Sequence, residues 1–385
     1  MRERVIRAFE ERFNEPPAFV VRAPGRVNLI GEHTDYNDGF CLPMAIDRAL
    51  WIALRPRPDQ RVCVEALDMG ESITFDLGAL SPGPAGWDQY VTGVAWALQR
   101  NGYELSGWEG MMSGDIPIGS GLSSSAALEL AVARAFAAVS GFAWEARRMV
   151  QVAQQTENEW LGLRTGIMDQ LICATGVEGQ ALLMDCRSLS LEPVPLPSGA
   201  VVVVMDTRTP RGLVHSAYNE RRAECEQAAR RLGVASLRDA SRADLERPGD
   251  PLAPVLLQRA RHVITENERT LLAAAAMRAD DAAELGRLMN ASHDSLRDDY
   301  EVTSATLDTM VAAARRQQGC WGARMTGAGF GGCAIALVAE PDVAAFINNV
   351  FQAYEQATGL TPDIFACRPA AGVGLIGLGE TGSAR

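Results

Sequence analysis

A chain of 385 residues, 47% hydrophobic and 22% charged, has the composition of a folded globular protein and exceeds the length of one ordinary core, so two domains are expected. A formal net charge of −12 argues against nucleic acid as a partner. All 36 basic residues are arginine. The absence of lysine excludes a Walker-A P-loop, a protein-kinase ATP lysine, and Schiff-base or PLP chemistry. Any phosphate chemistry must then rest on Arg, backbone N–H groups and metal.

The N-terminal stretch MRERVIRAFEERFNE is a charged amphipathic helix without the apolar segment of a secretory signal. No apolar run approaches the roughly 20 residues needed to span a bilayer, and a cytoplasmic protein without a membrane partner is expected. Residues 18–30 and 40–66 alternate or run apolar, with Asn37-Asp38-Gly39 as turn chemistry between them. Pro82-Gly83-Pro84 marks a loop, 87–100 has helical spacing, and 107–118 is strand-like up to Pro117. A Gly/Ser loop then feeds a long Ala-rich helix closed by Gly141. Residues 144–161 read as another helix, and 180–205 as two short strands split by LEPVPLPSG. That Pro/Gly-rich break near 193–199 is the expected boundary between domains of 1–195 and 196–385. The second half is mostly helical (217–232, 255–293, 304–317), followed by a Gly-rich loop (327–332), a strand (333–339), a helix (341–357) and a strand near 363–374. The final GETGSAR reads as a frayed tail. The eight cysteines include no pair two to four residues apart, which leaves no zinc knuckle or CxxC; they read as buried free thiols.

Four stretches could carry chemistry. In PIGSGLSSSAA (117–127), two glycines let the backbone bend and three serines sit at a helix start with free N–H donors, which makes an anion site. Met149, Ala153, Glu157 and Trp160 share one helix face, so Glu157 is a carboxylate on the stripe that should be buried. Its partner is either a metal ion or a hydrogen bond from Arg or backbone. Asp169, in an apolar segment opened by Gly166, is either a helix cap or a working group. MTGAGFGG (325–332) matches GxGxxG at Gly327, Gly329 and Gly332, but it follows a helix and opens a strand, so the dinucleotide-binding reading fails on context. It remains a glycine loop suited to close approach of a ligand or another loop. In APGRVNLIGEHTDYNDG (23–39), Glu32, His33 and Asp35 crowd hydrogen-bonding groups into four residues, which suits a ligand rich in hydroxyls.

These phrases, in this order, resemble the three signature motifs of the galactose/homoserine/mevalonate/phosphomevalonate kinase superfamily, and the first looks like that of the galactokinase family. GIMDQL (166–171) and SLRDDYEVT (295–303) are similar to further phrases of that family. The resemblance implies an α+β, two-domain small-molecule kinase with its active site in the interdomain cleft. The N-terminal domain would resemble ribosomal protein S5 domain 2, and the C-terminal domain would be ferredoxin-like. Asp169 matches the family's catalytic base and Arg26 its charge-stabilising partner. Glu32, His33, Thr34, Asp35, Asp169 and Tyr218 match positions that hold the sugar. Gly119, Ser120, Gly121, Leu122, Ser123, Ser124 and Ser125 match the loop around the ATP phosphates, and Ser125 and Glu157 match ligands of Mg2+. Thr165 stands where many relatives place Cys, and no catalytic consequence is expected. The implied reaction moves the γ-phosphate of ATP to the C1 hydroxyl of α-D-galactose in a monomer or weak homodimer. A kinase of a related sugar (N-acetylgalactosamine, arabinose or galacturonate) or a non-catalytic galactose sensor are the alternatives.

Overall fold

The computed structural model describes residues 1–209, 214–246 and 252–377, so the GETGSAR tail lies outside the described residues. Helix α1 (Arg2–Phe13) lays Val5 and Phe9 on Val20, Ala53 and Met111 of the first sheet. That sheet runs β13-β1-β3-β6-β4-β5, built from β1 (Phe19–Asn28), β3 (Pro43–Pro56), β4 (Arg61–Ala66), β5 (Glu71–Asp76), β6 (Trp108–Gly114) and the C-terminal β13 (Gly374–Leu375). Every pairing in it is antiparallel except β4 with β6. The short β2 (Phe40–Cys41) leaves it to join β7 (Gln180–Asp185) and β8 (Ser190–Pro195) in a three-stranded sheet. Helices α2 (Trp87–Arg100), α3 (Ser124–Ser140), α4 (Ala146–Gln155) and α5 (Met168–Thr175) complete this half.

Between β8 and β9 (Ala200–Asp206) the chain passes to a four-stranded sheet, β10-β11-β9-β12, with β10 (Cys320–Met325), β11 (Cys333–Ala339) and β12 (Asp363–Cys367). Its helices are α6 (Val214–Leu232), α7 (Pro254–Arg278), α8 (Ala282–Asp298), α9 (Ala305–Arg315) and α10 (Val343–Thr358). The two halves share buried packing: Val27, Leu29 and Ile46 belong to the same apolar cluster as Met277, Cys333 and Ile335.

Five local expectations need correction. The glycine-rich loop 327–332 follows strand β10 and not a helix, but it opens strand β11 and no helix, so it still fails the dinucleotide-binding pattern. Residues 180–205 hold three strands, not two, because Pro193 and Pro195 lie on β8, an edge strand where a missing N–H is tolerated. The helical run 255–293 breaks into α7 and α8, since Asp280 turns left-handed (φ 60°) and the Asp281 side chain caps the Glu284 amide at 2.9 Å. The helix expected over 144–161 ends at Gln155, and Thr156–Trp160 continues as a π-helical turn. All eight cysteines are free, but Cys63 and Cys320 are only part-buried. Among the described residues no helix is long and apolar enough to cross a membrane.

Candidate active site

A cavity of about 960 Å3 is walled by both halves, from Arg26 to Gln170 on one side and by Ser216, Tyr218, Asn219, Gly327 and Ala328 on the other. Strand β1 sets its centre. A register shift between Pro24 and Arg26 bulges the strand at Gly25. A Cβ at Gly25 would stand 2.8 Å from the Leu122 carbonyl oxygen, so only glycine lets β1 approach the serine loop this closely. The Arg26 amide donates to that same carbonyl at 3.0 Å. The Arg26 side chain, only 4% exposed, then grips Asp169 with two bonds, Nε to Oδ1 at 2.8 Å and Nη2 to Oδ2 at 2.5 Å. Burial opposes the guanidinium charge, and Asp169 more than restores it, so the Arg26 pKa is raised. Asp169 lies in the first turn of α5, where the helix dipole favours a carboxylate, and it opens onto the cavity with about a third of its side chain exposed (32%).

The serine loop meets this pair. Ser123, at the N-cap of α3, is left-handed (φ 58°), and its hydroxyl donates to Asp169 and does not cap the helix. The first amides of α3 therefore keep no side-chain cap, which preserves an anion-binding helix start. Gly119, Gly121, Ser123, Ser124 and Ser125 line the cavity. Ser120 and Leu122 do not: the Ser120 hydroxyl turns back to the Pro117 carbonyl at 2.8 Å, and Leu122 is buried in the core.

Behind the serine loop lies a group of acids. The π-helical turn presents Glu157, whose Oε2 accepts from Gln170 Nε2 at 2.8 Å and from the Thr165 hydroxyl. Thr165, expected to be a bystander, is thus a direct partner of Glu157. Burial raises the Glu157 pKa and Asp169 adds to the rise, while Thr165, Gln170 and Ser125 oppose it through hydrogen bonds. Glu129 on α3 was missed by the sequence reading. It has no exposure, its pKa is pushed well up by burial and then by Glu157, and its Oε1 has no partner. Its signal was present, since it is a lone acid inside the apolar run AALELAVA.

The other end reads polar groups. After β1, Gly31 (φ 95°) and His33 (φ 61°) both turn left-handed and fold Glu32, His33 and Asp35 against the cavity. Thr34 does not line it; its hydroxyl bonds to the carbonyls of Gly31 (2.9 Å) and Phe40 (2.8 Å) and closes the loop. His33 Nδ1 lies 2.8 Å from the Tyr36 hydroxyl, itself 2.7 Å from that of Tyr300, while His33 Nε2 has no partner. Burial, then His262, lowers the His33 pKa to about 3, so the imidazole is neutral at pH 7. Burial, then Asp169, raises Asp35 to about 6. Gly166 makes room for it, because a Cβ there would meet Asp35 Oδ2 at 1.6 Å. The Tyr218 ring packs 5.6 Å from that of His33. Glu32 is held from the glycine-rich loop, where the Gly327 amide donates to its Oε1 at 2.6 Å. The third motif is therefore a close-approach loop: a Cβ at Gly329 would meet the Val302 carbonyl at 2.2 Å.

Beyond the serine loop the cavity turns apolar and aromatic, lined by Ala66, Met69, Trp87, Tyr90, Met112 and Ile118, with Asp68 and Ser113 as polar groups. No motif marked these residues. They come from β4, the β4–β5 turn, α2, β6 and the loop after it, and only the fold brings them together.

Comparison with known proteins places this geometry. The galactokinase galactose-binding signature matches residues 7–56, and the N-terminal and C-terminal domains of GHMP kinases match 89–177 and 273–356. A curated galactokinase of a Roseiflexus species is 47% identical over 373 residues, covering 96% of this chain and 95% of the relative. The chain belongs to the galactokinase family. A second galactokinase, from Chloroflexus aurantiacus, is 48% identical over 375 residues, covering 96% of each. Lactococcus lactis galactokinase, solved in complex with galactose, superposes with a TM-score of 0.92 at 39% identity, covering 96% of this chain and 98% of that one. Methanococcus jannaschii mevalonate kinase shares the fold alone, with a TM-score of 0.66 at 18% identity, covering 91% of this chain and 98% of that one. The stretch matched by the galactokinase signature includes β1, the Glu32–Asp35 loop and all of β3.

Proposed function

We propose that this chain transfers the γ-phosphate of ATP to the C1 hydroxyl of α-D-galactose, giving galactose 1-phosphate and ADP. The observation that carries the reading is the Arg26–Asp169–Ser123 junction, which stands where the polar end of the cavity meets the serine loop. Asp169 takes the proton of the C1 hydroxyl as that oxygen attacks the γ-phosphorus in line and ADP leaves. Arg26 orients Asp169 through its two hydrogen bonds and faces the charge that develops on the transferred group. Asp35, Glu32, His33 Nε2 and Tyr218 read the sugar hydroxyls. The α3 N-terminus and the backbone of 119–125 hold the phosphates in place of a P-loop lysine, and Trp87 and Tyr90 flank the adenine.

Magnesium fits the residues present. Among the described residues no group of three or more His, Cys, Asp or Glu could hold a metal alone. A site of one hydroxyl, Ser125, and one carboxylate, Glu157, completed by substrate oxygens, matches how Mg2+ is usually bound beside phosphates. Bound there, it would neutralise charge across the β- and γ-phosphates. Thr165 and Gln170 orient the Glu157 carboxylate for that role.

The test is an ADP-release assay with Mg-ATP and galactose, 2-deoxygalactose, N-acetylgalactosamine, glucose, arabinose, galacturonate and mevalonate. Turnover confined to galactose and its 2-deoxy analogue supports the reading. Preference for another sugar moves the substrate, and absence of turnover with tight galactose binding overturns the enzymatic reading.

A further inference from the structure

Glu32 is the one acid of the polar cluster that is held from the opposite half of the molecule. Its backbone and its side chain are gripped by different residues. Glu266 on α7, without any exposure, accepts from the Gly31 amide at 2.9 Å, the Glu32 amide at 3.3 Å and the Ser292 hydroxyl at 2.6 Å. Arg269 Nε completes that grip at 2.8 Å. The Glu32 carboxylate receives the Gly327 amide on Oε1 and Asn28 Nδ2 on Oε2, the latter at 3.0 Å. Between these two acids stands Arg324 of β10, which also has no exposure. Its Nη1 donates to the carbonyls of Asn28 (3.0 Å) and Leu29 (3.2 Å) and lies 3.5 Å from Glu32 Oε1. Its Nη2 lies 3.9 Å from Glu266 Oε1.

One guanidinium thus ties the end of β1, the Glu32 side chain and the acid that holds the Glu32 amide. Arg324 does not line the cavity, so it cannot touch the sugar. Burial drives the Glu32 carboxyl toward its neutral form, and Arg324 is the strongest influence opposing this. A buried acid that loses its cation either rotates toward another donor or takes up a proton, and both change what it offers a hydroxyl.

We propose that Arg324 is a positioning residue for sugar selection, fixing from the C-terminal half which way the Glu32 carboxylate faces the substrate. This rests on the reading that Glu32 contacts the sugar. Lysine at 324 keeps the charge, but it has one nitrogen where Arg324 uses Nη1 for the two carbonyls and Glu32 and holds Nη2 3.9 Å from Glu266, so it cannot keep both placements.

The experiment measures kcat and KM for galactose and for Mg-ATP, and kcat/KM for the 2-, 3-, 4- and 6-deoxygalactoses, in wild type, Arg324→Lys, Glu32→Gln and the double variant. Arg324→Lys should raise the galactose KM by about tenfold or more, as expected when a hydrogen-bonded charge is misplaced, and leave the ATP KM within about twofold. It should erode discrimination against the same single deoxy sugar as Glu32→Gln does, and add nothing to Glu32→Gln in the double variant. If Glu32→Gln changes the deoxy-sugar profile and Arg324→Lys does not, the proposal falls while the Glu32 reading stands. If Glu32→Gln leaves every deoxy-sugar ratio unchanged, that reading falls and takes the proposal with it. Should Arg324→Lys not fold, Glu266→Gln, which removes the second acid of the clamp, must shift the same ratio; an unchanged ratio there overturns the proposal.

Discussion

Asp169→Asn separates chemistry from binding at this site. Asparagine is isosteric, so it keeps one acceptor for Arg26 and Ser123 but cannot take a proton. A positioned general base contributes about 10²–10⁴ in rate, equivalent to about 3–5 kcal/mol of transition-state stabilisation. The substitution also removes the anion from the bidentate Arg26 pair. Breaking a fully buried pair costs about 3–5 kcal/mol, but the Asp169 side chain is 32% exposed and the amide oxygen remains, so a stability loss nearer about 1–2 kcal/mol is expected. Single-turnover phosphoryl transfer, titration with a fluorescent ATP analogue and a thermal melt would separate these effects. We expect kcat to fall by at least about 10²-fold, nucleotide affinity to hold within about threefold, and Tm to drop by a few degrees. A folded Asp169→Asn protein with kcat within tenfold of wild type would refute the base assignment.

Asp35, raised to about 6 against an ordinary value of 3.8, should gain a proton as pH falls through about 6. Galactose kcat/KM should decline below that point, and Asp35→Asn should remove the inflection. Because the folded state holds this proton while the unfolded state has already lost it, the stabilising contribution of this group declines as pH rises from 3.8 toward about 6. Asp35→Asn should accordingly melt higher than wild type at pH 7 in the absence of sugar. Gly166→Ala should displace the Asp35 carboxylate, raising the galactose KM on the order of tenfold to a hundredfold with the ATP KM little changed. Trp87→Ala should do the reverse, weakening ATP by about tenfold through lost base stacking and sparing galactose.

What could be read from the sequence follows from how local each signal is. Arg26, the Glu32–Asp35 cluster and the serine loop sit in short motifs whose composition exceeds any structural need, and the structure lines one cavity with most of them. Their mutual contacts are another matter: Arg26 reaches Asp169 across 143 positions, and Gly327 reaches Glu32 across 295. Thr34, Ser120 and Leu122 share those motifs, but their side chains serve the backbone or the core. The converse holds for Glu129 and Thr165, which surround Glu157 and to which the sequence reading gave no role, although both stand at the edge of a motif. The aromatic end of the cavity was illegible because an apolar lining residue and a core residue look alike until the sheet is assembled. Strand β8 was hidden by its prolines, which deter a strand only where both edges are paired.

The most direct test of the account is the phosphorus NMR spectrum of the product formed from Mg-ATP and galactose. We predict one new phosphomonoester resonance, coupled to the anomeric proton with the splitting of an α-linked C1 phosphate and growing in step with ADP. A phosphate on any other hydroxyl, or free phosphate alone, would contradict the placement of the C1 oxygen against Asp169.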